Sequence, residues 1–83
     1  MASHFQNKIK AEYQKKGYTV LKIIRLSDNG YPDLLCLKKG KSLWIECKEA
    51  GDTLKPLQKH RIDELRKEGF EAFCLQDGKG VIY

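Results

Sequence analysis

Three charged residues, Asp33, Glu46 and Lys48, lie at the ends of two short apolar segments that a Lys/Gly turn joins. Successive side chains of a β-strand point to opposite faces, so Glu46 and Lys48 project from the same side of a sheet. If the segments form an antiparallel hairpin, Asp33 lies opposite Glu46, Cys47 or Lys48. A register that pairs Asp33 with either charged residue places two carboxylates and an ammonium on one face. This arrangement predicts a divalent-metal site with a lysine beside it.

A structural alternative for the same residues is a cross-strand charge cluster on a solvated face, which is common in hairpins. Leu35 and Trp44 fall on the same face of the predicted hairpin and favour a partly covered site. The opposite face is apolar throughout, with Leu34, Cys36, Leu43, Ile45 and Cys47. We therefore expect helices or a second subunit to cover both faces of the sheet.

Length and charge indicate the class of protein. The 83 residues predict a single domain, residues 1–83, whose small core would benefit from a partner subunit. The 16 Lys and Arg against 11 Asp and Glu give a net charge of +5, which favours nucleic acid as a partner. The three cysteines lack CxxC spacing, so we interpret them as reduced packing residues of a cytoplasmic protein. Without a signal peptide or long apolar segment, no membrane partner is expected.

The hydrophobic pattern predicts an α/β domain with the element order αβββαβ and a mixed sheet flanked by helices. Ser3 and Gln6 resemble a capping box at the start of the first helix, and Gly17 provides its stop. The predicted strands cover residues 18–26, 33–38, 42–48 and 70–75, and residues 80–83 form a short apolar end that could pair with a sheet edge. Pro32 fits only at the start of the second strand.

The second helix is predicted to follow Thr53 as its N-cap and to run to about residue 68, with Pro56 in its first turn and Gly69 at its end. At about 100° per residue its apolar arc contains Leu54, Leu57, Ile62 and Leu65. Gln58 and Arg61 fall inside this arc. Two polar side chains are therefore predicted to point toward the sheet.

With these elements placed, the chain resembles the PD-(D/E)xK nuclease superfamily, and within it the small virus-type replication-repair nuclease (VRR-NUC) domains. The resemblance covers nearly the whole chain. Its most specific parts are the sequence GYPD at residues 30–33, the sequence IECK at residues 45–48, and Gln58 on the inward arc of the next helix. The resemblance implies a restriction-endonuclease-like αβββαβ core.

Phosphodiester hydrolysis needs charge neutralisation at phosphorus and a strong nucleophile, and a hard cation held by carboxylate oxygens supplies both. Asp33 and Glu46 would therefore bind Mg²⁺ or Mn²⁺, and the resemblance implies the backbone carbonyl of Cys47 as a further ligand. Lys48 would position the attacking water or stabilise charge on the phosphate. A general-base role is the alternative for Lys48, and it requires a strongly lowered pKa.

Three further polar residues have predicted accessory roles. The resemblance implies that Gln58 hydrogen-bonds Lys48, a metal-bound water or a phosphate, with helix capping or an exposed rim position as the alternative. Arg61 contacts a phosphate in one interpretation and extends to the rim in the other. Related nucleases usually carry an acid in the first helix. The best-aligned position here is Gln6, which would bind a metal-bound water more weakly than a carboxylate does.

The leading hypothesis is a metal-dependent endonuclease that hydrolyses DNA, with branched DNA such as Holliday junctions as its substrate. The resemblance also implies a homodimer in the cytoplasm of a bacterial or phage-infected cell. One alternative is a catalytically inert basic nucleic-acid-binding module on the same fold. It is favoured because residue 6 is a glutamine and not an acidic residue. Another is an RNA-directed nuclease.

Overall fold

The structure is a computed structural model that describes residues 3–83, so residues 1 and 2 of the predicted domain lie outside the described residues. The elements are α1 (His4–Lys15), β1 (Thr19–Lys22), β2 (Leu34–Lys38), β3 (Lys41–Lys48), α2 (Pro56–Lys67), β4 (Glu71–Gln76) and β5 (Gly80–Val81). The strands form one sheet in the order β1-β2-β3-β4-β5, antiparallel except for the parallel pair β3 and β4. The predicted α/β class and αβββαβ order are confirmed, and the C-terminal segment adds a short strand.

The first helix begins where the sequence predicts. The Ser3 hydroxyl oxygen accepts a hydrogen bond from the backbone N–H of Gln6 at 2.9 Å. This bond satisfies one of the N–H groups that the start of a helix leaves unpaired. Gly17 follows the helix at a φ of +94°, in the left-handed region that glycine adopts easily at helix ends.

The β2–β3 hairpin has a two-residue turn, Lys39-Gly40, so β3 begins one residue earlier than predicted. The φ angles of the two turn residues are +46° and +80°. Positive φ at both positions matches the twist of the paired strands in the shortest hairpins. The resulting register pairs Lys38 with Lys41 and Leu34 with Ile45. This register decides which side chains share a face of the sheet.

The first strand is shorter than the predicted range of 18–26 and covers Thr19–Lys22. One further backbone bond joins the N–H of Ile23 to the carbonyl of Asp33 at 2.7 Å, and the chain then leaves the sheet. Beyond Ile23, no backbone hydrogen bond among the described residues joins this segment to another strand. Ile24 is 92% exposed, which shows that its strand propensity alone does not extend β1.

The second helix has Lys55 as its N-cap, so the prediction of Thr53 was wrong. The residue before a proline favours an extended backbone, and Lys55 has φ −77° and ψ 152°. Pro56 fits the first helical position because the N–H that it lacks would be unpaired there. Thr53 instead donates its backbone N–H to Asp52 Oδ1 at 2.8 Å. Gly69 follows the helix end as predicted, with φ +93°.

The sequence predicts that helices or a second subunit cover both faces of the sheet. In the structure, a helix packs on each face. The core on the α1 side contains Phe5, Ile9, Val20, Leu34, Cys36, Leu43 and Ile45. The core on the α2 side contains Ile62, Leu65, Ala72 and Cys74. α2 is also the crossover that allows β3 and β4 to pair in parallel.

The cysteines are free thiols, in agreement with their interpretation as packing residues. Cys36 and Cys74 are buried, and burial raises the pKa of each thiol to about 11. Both thiols are therefore neutral near pH 7. Among the helices formed by residues 3–83, none is long and apolar enough to cross a membrane.

Gly30→Ala is expected to destabilise the protein by about 1–3 kcal/mol. Gly30 has φ +89°, and an added Cβ would lie 2.7 Å from Leu57 Cγ, so backbone strain and a clash act together. Gly51→Ala is the matched control, because Gly51 has φ +83° but no atom within 4 Å of an added Cβ. We expect a smaller loss of about 1 kcal/mol there. Urea unfolding measures the loss of stability in both variants. Equal losses would show that the contact with Leu57 does not hold the loop around Gly30.

Candidate active site

The β2–β3 register brings the three charged residues to one end of one sheet face. Asp33, directly before β2, lies opposite Glu46 when the observed pairing is continued by one residue. The backbone N–H of Cys47 donates a hydrogen bond to Asp33 Oδ2 at 3.0 Å, which fixes this carboxylate against β3. Glu46 and Lys48 are two residues apart on β3 and therefore share the face of Asp33.

Glu46 and Lys48 are withdrawn from water, with only 3% and 5% of their surface exposed. Lys48 Nζ lies 3.7 Å from Glu46 Oε2 and 3.8 Å from Asp52 Oδ2. A buried ammonium requires opposite charges nearby, and these two carboxylates provide them. The cluster is therefore not the solvated group of charges that the structural alternative describes.

Glu46 is under electrostatic strain at this position. Its Oε1 is buried and has no hydrogen-bond partner among residues 3–83. Burial and the neighbouring Asp33 carboxylate raise the pKa of Glu46 to about 8, and the Lys48 ammonium opposes this rise only in part. An unsatisfied buried oxygen typically costs about 1–3 kcal/mol. A cation bound between Asp33 and Glu46 would remove this cost.

The chemistry of the donors fits a hard divalent cation. Asp33 and Glu46 present carboxylate oxygens, and Mg²⁺ is commonly held by one or two carboxylates together with several waters. No group of three or more His, Cys, Asp and Glu side chains converges within residues 3–83. The protein side chains would thus provide only part of the coordination shell. The role predicted for the Cys47 carbonyl stays a prediction.

Asp52 and Gln76 are parts of this cluster that the sequence did not reveal. Gln76 Nε2 donates hydrogen bonds to the backbone carbonyls of Glu49 and Asp52, at 3.0 and 2.6 Å, and so holds the loop after β3. Gln76 is only 4% exposed and pairs with Lys48 across β3 and β4. The four-residue spacing from Lys48 to Asp52 is a signal only within a helix, and residues 49–52 form none. The position of Gln76 depends on parallel strand pairing, for which the sequence has no local signal.

Gln58 caps α2 in this structure. Its Oε1 accepts a hydrogen bond from the backbone N–H of Lys55 at 3.0 Å. This bond is the helix-capping alternative that the sequence left open. The side chain is half-buried, and its predicted contact with Lys48, a metal-bound water or a phosphate stays a prediction.

Arg61 holds the segment that leads to Asp33. Its Nε donates to the Asn29 carbonyl at 2.9 Å, and its guanidinium carbon lies 4.7 Å from the centre of the Tyr31 ring. Glu64 accepts a hydrogen bond from the Tyr31 hydroxyl at 2.7 Å and lies 3.4 Å from Arg61 Nη1. These contacts give Arg61 a positioning role. Its predicted contact with a phosphate stays a prediction.

Gln6 lies on α1, whose buried side chains pack on the face opposite Glu46 and Lys48. Its backbone N–H is bonded to Ser3. Within residues 3–83, no hydrogen bond or ion pair connects Gln6 to the charged cluster. The contact of Gln6 with a metal-bound water stays a prediction.

Comparison with known families assigns the class of protein. The VRR-NUC domain family model matches residues 3–77. The chain therefore belongs to the VRR-NUC domain family, within the PD-(D/E)xK nuclease superfamily, as the resemblance predicted. No match was found among curated proteins.

Two solved structures share the fold. A structure described as a VRR-NUC domain aligns with a TM-score of 0.74 and 28% sequence identity, covering 84% of this chain and 77% of that chain. Hjc, a Holliday junction resolvase from the archaeal hyperthermophile Archaeoglobus fulgidus, aligns with a TM-score of 0.69 and 18% identity, covering 90% of this chain and 67% of its own. The predicted nuclease-type fold is thereby confirmed.

In metal-free solution, Glu46→Gln is expected to stabilise the protein most at alkaline pH. The folded protein holds the Glu46 proton with a pKa of about 8, compared with an ordinary value of 4.5. Stability therefore falls as pH rises between these values, by roughly 2–4 kcal/mol in total. Glu46→Gln removes this dependence. Urea unfolding in EDTA from pH 5 to 8.5 measures it.

Glu12→Gln, on the exposed side of α1, removes a carboxylate outside the cluster and is the control for this experiment. We expect it to keep the wild-type slope of stability against pH. The same slope in the wild type and Glu46→Gln would contradict a raised pKa for Glu46.

Gln76→Leu is expected to lower stability by about 1–3 kcal/mol, because two loop carbonyls lose their buried donor. The loop that carries Asp52 would then be less well ordered beside Lys48. Hydrogen exchange of the backbone amides of residues 49–53 measures this local effect, and urea unfolding measures the global one. Gln14→Leu, on the exposed side of α1, should change stability by less than about 0.5 kcal/mol. Unchanged exchange in Gln76→Leu would show that Gln76 does not hold the loop.

Proposed function

We propose that this chain is a divalent-metal-dependent endonuclease that hydrolyses phosphodiester bonds of branched DNA. The observation that supports it best is the pair of Asp33 and the buried Glu46, with an unpartnered Glu46 oxygen and the Lys48 ammonium 3.7 Å from the other oxygen. As a purely structural feature this cluster is costly, because it confines two carboxylates. In phosphodiester hydrolysis, the two carboxylates would bind the metal ion and the Lys48 ammonium would stabilise negative charge.

The chain contributes to the reaction mainly by positioning charge. Mg²⁺ or Mn²⁺ bound by Asp33 and Glu46 would supply charge neutralisation at phosphorus and a stronger nucleophile. The Cys47 N–H holds the Asp33 carboxylate in place, and the regular strand holds Glu46, so both ligands are preorganised. The Lys48 ammonium stabilises negative charge on the phosphate or orients the attacking water. Its contacts with Glu46 and Asp52 keep it within the cluster.

DNA with a branched structure is the proposed substrate for two reasons. The net charge of +5 favours a polyanion. The fold is shared with Hjc, which is a Holliday junction resolvase. We further propose a homodimer that acts in the cytoplasm of a bacterial or phage-infected cell. Val81 and Ile82 at the β5 edge are exposed apolar residues that a second copy would cover, and two-fold symmetry would present two sites to two DNA strands.

A second candidate function is a basic nucleic-acid-binding module without catalysis. The observation that favours it is that no group of three or more metal-binding side chains converges within residues 3–83, and the resemblance aligns Gln6 with the usual first-helix acid. An RNA-directed nuclease on the same fold is a further alternative. Competition between matched RNA and DNA junctions separates that alternative from the proposed function.

Asp33→Asn and Glu46→Gln are each expected to lower the rate of DNA cutting by about 10²–10³-fold or more, while DNA binding is largely retained. Each change removes the negative charge of a metal ligand and leaves the size of the side chain nearly unchanged. The wild type and both variants are incubated with linear, flapped and four-way DNA in Mg²⁺, Mn²⁺ or EDTA. Asp28→Asn, an exposed loop carboxylate, is the control and should cut at the wild-type rate.

Absence of metal-dependent cutting of all three DNA forms by the wild type would overturn the proposed function. Retained cutting in both Asp33→Asn and Glu46→Gln would place the active site elsewhere.

Calorimetric titration with Mn²⁺ distinguishes the nuclease from the inert module. We expect saturable binding in the wild type and its loss in Asp33→Ala, because one of two carboxylate ligands is removed. The inert module would bind no Mn²⁺ at this site, and its binding to DNA would still weaken steeply with salt.

A further inference from the structure

Three lysines, Lys38, Lys39 and Lys41, surround the turn of the β2–β3 hairpin, which we call the hairpin tip (residues 38–41). No ion pair formed within residues 3–83 engages any of them. The Lys38 ammonium donates a hydrogen bond to the carbonyl of Lys16 at 2.6 Å, at the end of α1. The Lys38 ammonium also lies 5.3 Å from the centre of the Tyr18 ring, so Lys38 is held toward α1 while Lys39 and Lys41 form no ion pair with a carboxylate of residues 3–83.

Two features of the hairpin tip act against stability. Lys38 and Lys41 are directly opposite each other across the strands, and like charges in this position are destabilising. Lys39 has φ +46°, a left-handed conformation in which Asn, Asp or Gly is preferred at the first position of such a turn. The turn requires the left-handed backbone at position 39, but it requires lysine at none of these positions. Departures from local structural preference are commonly found at functional sites.

The hairpin tip borders an open groove of about 680 Å³. Its walls include the three lysines, the backbone of Gly17, and the hydroxyl-bearing residues Thr19 and Ser42. No acidic residue of the described chain lines this groove; Glu71 borders a separate hollow on the other side of the turn. Lysine ammonium and Ser or Thr hydroxyl groups are the donors that commonly bind DNA phosphates.

The groove is continuous with the face that carries the candidate active site. Thr19, Leu37 and Ser42 occupy the same side of the sheet as Glu46, because they alternate in register with it. Lys38 and Lys41 occupy the α1 side, so the groove passes over the end of the hairpin between the two faces. Leu21 and Leu37 on this face are 45% and 38% exposed, so α2 leaves this part of the sheet open. Five residue steps along β2 separate the hairpin tip from Asp33, or about 17 Å. This length corresponds to about five base pairs of duplex DNA.

We infer that the hairpin tip is a second DNA contact, which binds the phosphate backbone of a duplex about five base pairs from the scissile phosphate. This inference rests on the proposed function, because it takes Asp33 and Glu46 as the place of cutting. The ligand is duplex DNA, since the lysines and hydroxyl groups match phosphates and the groove at the tip joins the lysines to the open face that leads to the site. The contact carries no base specificity and acts on affinity and orientation.

The test is a double variant, Lys39→Asn with Lys41→Thr, that removes two charges and introduces residues suited to a turn and a strand. Loss of folding is therefore not expected. The matched control is Lys8→Gln with Lys59→Gln, which removes two exposed lysines from the helices. Fluorescence anisotropy in EDTA measures the Kd for duplex and four-way DNA from 50 to 300 mM salt, so that binding is read without cutting.

We expect the tip variant to bind DNA about 10- to 60-fold more weakly near 0.1 M salt, with the slope of log K against log salt reduced by about 1–2. The control should keep an affinity close to the wild type. A duplex arm shorter than about five base pairs beyond the cleavage position should bind both variants equally. In cutting assays the tip variant should show a raised KM and an unchanged kcat.

Equal affinity of the tip variant and the control for long duplexes would overturn the inference while leaving the nuclease proposal intact. The same conclusion follows if the tip variant aggregates more readily but binds DNA normally, because the lysines would then serve solubility. If the wild type binds DNA but never cuts it, and the tip variant still binds more weakly, the phosphate contact stands and the proposed function fails.

Discussion

The two-residue turn Lys39-Gly40 is the constraint on which the rest of the structure depends. It fixes the register of β2 against β3, and the register fixes which side chains share a face. A slip of one residue would move Glu46 and Lys48 to the α1 side, away from Asp33, and would move the apolar residues of β3 out of that core. The core and the charged cluster therefore have the same geometric origin, and neither can be changed without the other.

Burial gives the cluster its chemical character. Glu46 and Lys48 are buried near the end of β3, the central strand of the sheet. Their charges therefore interact through a medium less polar than water. The free protein bears a cost for this, because the Glu46 carboxylate has one oxygen without a partner and repels Asp33. Functional sites commonly lower the stability of a protein, because they hold ligand-binding groups in a fixed arrangement before the ligand binds. The hydrogen bond from Cys47 and the Gln76-held loop keep the strained groups in place.

Local patterns in the sequence were sufficient for the fold class, the order of elements and the shared face of Glu46 and Lys48, since alternation within a strand does not depend on distant contacts. Two kinds of feature required the structure. Competing local signals decided the start of α2, where the proline at position 56 outweighed Thr53 as a cap. Distant pairing decided the role of Gln76, which reaches the cluster only because β4 lies parallel to β3 in one register. No sequence pattern near Gln76 encodes that register.

In the proposed nuclease, the charge distribution assigns cutting and DNA binding to different parts of the chain. Without a cation, the Asp33 carboxylate repels the phosphate, and Glu46 does so as well when the pH rises above its pKa of about 8. The attraction for DNA must then come from the lysines that give the chain its net charge of +5. The β2–β3 hairpin separates the two tasks along its length, with carboxylates at its open end and, at its turn, lysines that form no ion pair within residues 3–83. In the proposed function, a polyanion held at the turn would cross the end of the hairpin to reach the face of the carboxylates, and the cation would need to neutralise only the phosphate beside them.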